Sequence, residues 1–180
     1  MEMNSSNHSW NIQQYAGFCL TTLLLCFILT SARFARTNFS GEWTLKKEKS
    51  KLVPAPGQMR MVFDQLKVTQ NGNEIIISRT SQAPDGQALT MDEKITLDGK
   101  ESVNNFFDGA VTKKSITKWS ANEKELNISS TSTFTRGGKA ETIKSTEVWE
   151  NATGTGELTI KYTASTPKGE VKDIYIYIKK

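Results

Sequence analysis

Phe39-Ser40-Gly41-Glu42-Trp43-Thr44-Leu45 is the stretch on which the reading of this chain turns. A Gly-x-Trp opens an extended segment immediately after an apolar leader, and from there the sequence runs as short alternating segments punctuated by turn residues. The next interval, KKEKSKLVPAPGQ, carries dense charge together with Pro54, Pro56 and Gly57, and reads as a loop. Met61 to Thr69 then alternates as a second strand. Asn71-Gly72-Asn73 turns it into a third, Glu74 to Thr80, because Asn and Gly tolerate the positive φ that tight hairpins need.

The same grammar continues to the end of the chain. Pro84-Asp85-Gly86 leads into Ala88 to Leu97, and Asp98-Gly99-Lys100 into a less regular stretch, Glu101 to Gly109. Val111 to Trp119, Glu125 to Arg136, Glu141 to Trp149, Glu157 to Thr163 and Val171 to Ile178 read as strands, separated by turns rich in Gly, Asn and Pro. No window keeps a helical period. Nine or ten strands in meander order predict an all-β fold, an antiparallel up-and-down β-barrel of about 8 to 10 strands. A faint internal echo pairs Trp119 before Leu126-Asn127-Ile128 with Trp149 before Leu158-Thr159-Ile160, although any meander generates such echoes.

Before this domain, Tyr15 to Leu29 is apolar apart from Thr21 and Thr22, and Thr30-Ser31-Ala32 supplies small residues. The expectation is a signal peptide over residues 1–32, cleaved after Ala32, and an exported domain over 33–180. The alternative is a retained N-terminal anchor, since Arg33 and Arg36 follow the apolar core and no Lys or Arg precedes it. Membrane contact is expected only through this segment, if it is uncleaved.

Composition narrows the chemistry. Both cysteines, Cys19 and Cys26, and the sole histidine, His8, fall in the first 32 residues. A domain over 33–180 therefore has no imidazole base, no Cys nucleophile, no disulfide and no Cys or His zinc ligands, and neither a metal nor a cofactor is expected. The 23 basic and 19 acidic residues leave a net charge of +4, with Lys and Glu interspersed as on a solvated surface, so no nucleic-acid partner is expected.

FSGEWTL followed by KEKSKL, with TLDGKES, KWS before ELNIS, EVWE before GELTI and the late STPKGE, resembles a family of exported bacterial β-domains described as lipocalin-like. Gly41-Glu42-Trp43 is also distantly similar to the Gly-x-Trp that opens lipocalins and fatty-acid-binding proteins. That resemblance implies that Trp43 packs across the closed end of a barrel, that Gly41 permits close packing there, and that Lys179 is the basic residue set against the Trp. The chain departs from the fatty-acid-binding pattern in two places. A Pro-containing loop stands where those proteins have a helical lid, and the last strand has Tyr175 and Tyr177 in place of Arg-x-Tyr.

Alternation sets Leu158, Ile160 and Tyr162 inward and Glu157, Thr159 and Lys161 outward. It also groups Ile75, Ile77 and Arg79, then Met91, Glu93 and Ile95, then Leu126, Ile128 and Phe134. Arg79 and Glu93 would be charges on apolar faces, which is costly without a partner. The candidate ligand-binding residues are thus Arg79, Glu93, Phe134, Tyr162 and Tyr175. Arg79 either anchors an acidic head group beside Tyr162 or Tyr175, or it ends its strand at the rim, or it pairs with Glu93. The structural alternatives are the simpler ones. In the last strand, Tyr175 and Tyr177 compete with Ile174, Ile176 and Ile178 for the inner face. Asp64, Asp92, Glu93, Glu147 and Asp173 are strand carboxylates with no spacing that singles out a catalytic pair.

The function expected from these observations is non-catalytic binding of a small apolar or amphipathic ligand by an exported barrel. The alternatives are a side-chain-filled interaction module of the cell envelope and a carboxylate-dependent enzyme. Oligomeric state is not readable from the sequence.

Overall fold

The computed structural model describes residues 35–54, 61–82, 86–152, 155–166 and 168–180. The leader and its expected cleavage point, together with residues 55–60, 83–85, 153–154 and 167, lie outside the described residues. Arg36–Lys180 forms one compact unit. It contains ten strands: β1 Gly41–Leu45, β2 Gln65–Asn71, β3 Glu74–Gln82, β4 Ala88–Thr96, β5 Ser102–Phe106, β6 Val111–Trp119, β7 Glu125–Arg136, β8 Lys139–Ala152, β9 Glu157–Thr166 and β10 Gly169–Lys179.

Every pairing is antiparallel, and the order β4-β3-β2-β1-β10-β9-β8-β7-β6-β5 is that of a meander whose first and last strands meet. Trp43 faces Lys179 across that junction. The result is the antiparallel up-and-down barrel that the alternation predicts.

One seam departs from the ladder. Between β4 and β5 the two strands are joined by side chains: Asn104 Nδ2 donates to the Lys94 carbonyl at 3.0 Å, and the Lys94 amide donates to Asn104 Oδ1 at 2.9 Å. A carboxamide has the donor and acceptor of a peptide group, so Asn104 substitutes for a missing backbone partner. Ser102 Oγ likewise accepts from the Thr96 amide at 2.9 Å.

The strands differ from the sequence expectation at four points. Phe39 and Ser40 precede β1 rather than belonging to it, and Phe39 instead fills the barrel floor. The second strand begins at Gln65, not Met61; Met61 to Phe63 approach it as irregular chain. Asp64 is consequently not a strand carboxylate. The stretch from Glu101 includes a true strand, β5, obscured in sequence because its outward Val103 is exposed while Ser102 is buried.

The floor explains why the opening motif matters. Phe39 stacks on Trp119 at 6.0 Å and meets Trp149 edge-on at 5.6 Å. Trp43 is 1% exposed, and its indole Nε1 donates to the Phe39 carbonyl at 3.0 Å, so the large ring is buried with its polar atom satisfied. Lys179 comes from the adjacent strand and places its ammonium 5.4 Å from the Trp43 ring centroid. Gly41 permits this: a Cβ there would stand 2.6 Å from Lys179 Cε, and its φ of +148° is one that L-residues rarely adopt. Above these rings lies a continuous apolar layer containing Leu66, Ile77, Ile95, Ile128 and Leu158.

Trp43→Ala should cost about 3 to 5 kcal/mol in chemical denaturation, as for other buried aromatics; a mutant unfolding like wild type would show that the floor does not carry the fold. Asn104→Ala should raise hydrogen exchange at the Lys94 amide about tenfold while leaving exchange in β7 and β8 unchanged, the loss of about one net hydrogen bond.

Candidate functional site

Above the apolar layer the inward positions change character. Arg79 follows Ile75 and Ile77 on β3, Glu93 precedes Ile95 on β4, and Glu147 precedes Trp149 on β8, each two residues along the same inner face. From β6, Lys113, Ser115 and Thr117 take the inner phase, and Ile116 is turned outward, 47% exposed.

These charges meet. Arg79 Nη2 donates to both oxygens of Glu147, at 2.8 and 3.1 Å. Arg79 Nε lies 3.6 Å from Glu93 Oε2, an electrostatic contact too long for a hydrogen bond, and is a buried donor with no hydrogen-bond partner among the described residues. Lys113 Nζ lies 2.7 Å from Glu93 Oε1 and donates to Oε2 at 2.9 Å, and it stands 4.0 Å from Glu147. Ser115 Oγ adds a bond to Glu93 at 3.3 Å, and Trp149 Nε1 donates to Glu147 at 2.7 Å. The guanidinium is also packed near the rings of Phe63 and Trp149.

Burial alone would raise the Glu147 carboxyl. The attraction of Arg79 and Lys113, with hydrogen bonds from Arg79 and Trp149, outweighs it and brings the group down to about 2. Burial similarly works against the Arg79 charge, but Glu147 and Glu93 hold it above the ordinary arginine range. Tyr177 and Tyr162 are pushed up chiefly by burial.

On the side of this network away from Trp43 lies a cavity of about 360 Å³. Its base is Arg79, Glu93, Lys113 and Glu147. Ile160, Tyr162, Tyr175 and Tyr177 form one wall, and Ser132, Phe134, Ile143 and Ser145 another. Met61, Met91, Phe106, Phe107 and Val111 line it as well, with Met61 and Phe107 partly exposed to solvent. At the β5–β6 turn, Phe107 and Asp108 both take φ of 54°, which is uncommon for non-glycine residues.

The five candidate ligand residues, Arg79, Glu93, Phe134, Tyr162 and Tyr175, all line this one cavity, whereas Gly41, Trp43 and Lys179 stand together at the opposite end. In β10 the inner face belongs to Asp173, Tyr175 and Tyr177, while Ile174, Ile176 and Ile178 lie outward and half-buried. Tyr175 donates to Asp173, which also accepts from the Val53 amide, and Tyr177 donates to the Phe63 carbonyl. These bonds tie the loop segments 46–54 and 61–64 to the barrel wall.

Arg79 is therefore neither a rim residue nor paired with Glu93 alone, because Glu147 is its nearer partner. The sequence offers Glu147 only as one of several strand carboxylates and does not single out Lys113, so neither is among the candidate ligand residues. The signal for Glu147 was its place two residues before an inward Trp.

No protein-family model matches the chain, and no curated protein matches it. A solved structure of similar fold is that of zebrafish ileal bile acid-binding protein complexed with cholic acid, at a TM-score of 0.48 and 18% identity, over 79% of this chain and 98% of that one. The barrel assignment rests on the strand pairing of this chain itself.

The network has a pH signature. Glu147 is depressed on folding, so it stabilises the native state above its unfolded value of 4.5, and that contribution is lost as pH falls towards about 2. Wild type should lose stability, on the order of a few kcal/mol, across that window. Glu147→Gln should be less stable at neutral pH and flatter between those limits; parallel pH profiles for the two proteins would contradict this account.

Proposed function

We propose that this chain is an exported, non-catalytic binding protein that holds a small, partly apolar molecule in the upper half of its barrel. The observation that carries this reading is the cavity itself. A barrel able to fill its lower half with Trp43, Phe39, Trp149 and a full aliphatic layer leaves about 360 Å³ open above, walled by Phe134, Ile143, Ile160 and Tyr162. Such concave, mainly apolar space with a few convergent polar groups is the usual form of a small-molecule site. Export is supported by the apolar leader and its small-residue end, with residues 1–32 removed and 33–180 retained. The resemblance to exported lipocalin-like β-domains points the same way.

The envelope-module reading needs a filled barrel, which describes only the lower half. The enzyme reading needs a carboxylate free to exchange a proton. Glu147 is held ionised by two cations and an indole, which suits it to neither donating nor accepting one.

Titration of the β-domain with the neutral dye N-phenyl-1-naphthylamine should give saturable fluorescence enhancement. Ser145→Trp, which places an indole in the cavity wall, should weaken that binding more than about tenfold with an unchanged fold by circular dichroism. Equal dye binding by the Ser145→Trp protein would place the dye elsewhere, and no binding by wild type would refute the carrier reading.

A further inference from the structure

The charges at the base of the cavity balance. Among the described residues, the charged side chains that line it are two cations, Arg79 and Lys113, and two carboxylates, Glu93 and Glu147. They are mutually engaged: Arg79 with Glu147 at 2.8 Å, Lys113 with Glu93 at 2.7 Å, and Arg79 Nε with Glu93 at 3.6 Å. Side-chain exposure is 2% for Glu93, 9% for Glu147, 10% for Arg79 and 13% for Lys113, so water does little to screen them.

An incoming carboxylate finds no spare cation here. Reaching Arg79 or Lys113, it would also stand beside Glu93 and Glu147, and it would give up its own hydration to do so. An incoming ammonium meets the converse arrangement. The uncharged polar side chains of the lining, Ser132, Thr135, Ser145, Tyr162, Tyr175 and Tyr177, all carry hydroxyls, which can both donate and accept. They match a hydroxyl, carbonyl or ester oxygen, and ask no net charge of it.

Resting on the carrier reading above, we propose that the cavity selects electrically neutral ligands, apolar molecules carrying an uncharged oxygen function, and discriminates against organic anions and cations of the same size. Selection here is by repulsion as much as attraction: each ion pair repels a charged head group of either sign through one of its members.

The test is displacement of bound N-phenyl-1-naphthylamine at neutral pH by decanol, decanoate and decylamine. Decanol should displace the dye at concentrations at least about tenfold lower than either ion. Because an alcohol is intrinsically less hydrated, the decisive comparison is with charge variants checked for retained melting. Glu93→Gln leaves the base with an excess cation and should move the decanoate-to-decanol ratio about tenfold towards decanoate. Lys113→Met, at the most exposed of the four positions, leaves an excess anion and should move the ratio towards decylamine. If one variant fails to fold, the other still decides. Decanoate or decylamine displacing as well as decanol from the unaltered protein, or variants that leave the ratios unmoved, would overturn this inference while leaving the carrier reading standing. Dye that does not bind at all would overturn both.

Discussion

The buried quartet of Arg79, Glu147, Glu93 and Lys113 is the constraint around which the rest of the barrel is arranged. Charges at this depth are tolerable only when each is neutralised and hydrogen-bonded, and these four come from four strands, β3, β8, β4 and β6. Their ion pairs therefore fix the registers of strands that are not adjacent in the sheet. They also set a boundary. Below it the barrel is packed with aromatic and aliphatic side chains; above it the walls retreat around open space.

The floor and the quartet are linked through Trp149. Its ring is held edge-on by Phe39 beneath, its indole donates to Glu147, and Arg79 lies over its face. Trp149 is thus the residue through which the opening motif and the cavity communicate. Phe39 positions Trp149, Trp149 orients Glu147, and Glu147 fixes the guanidinium at the cavity base. The motif at residues 39–45 is structural in role, yet the shape of the cavity base depends on it.

Much of the fold was legible because its turns carry their own chemistry. Asn71-Gly72, Asp98-Gly99 and Gly137-Gly138 mark hairpins whose glycines adopt positive φ, and the inward phase of Leu158, Ile160 and Tyr162 is what the alternation indicates. Legibility failed where burial and polarity disagree. β6 buries Ser115 and Thr117 and exposes Ile116, the reverse of what an amphipathic strand announces, so Lys113 gave no sign of pointing inward. In β10 both faces are apolar enough to bury, and the bonds from Tyr175 to Asp173 and from Tyr177 to the Phe63 carbonyl mark the inner one. The echo between Trp119 and Trp149 also proves superficial. Trp119 lies opposite Leu126, whereas Trp149 lies opposite Ile160, so the two hairpins differ in register.

The junction of β1 with β10 has a consequence for the life of the chain before it is folded. The first strand borders β2 on one side and the last strand on the other, with Trp43 opposite Lys179. A nascent polypeptide emerging from the ribosome can form its hairpins one by one, but the edge of β1 away from β2 waits for β10 to appear. Ring closure is thus postponed until β10 has been made, and until then Trp43 lacks the strand that completes its enclosure. A domain built in this order stays open at that edge until its tenth strand has been made.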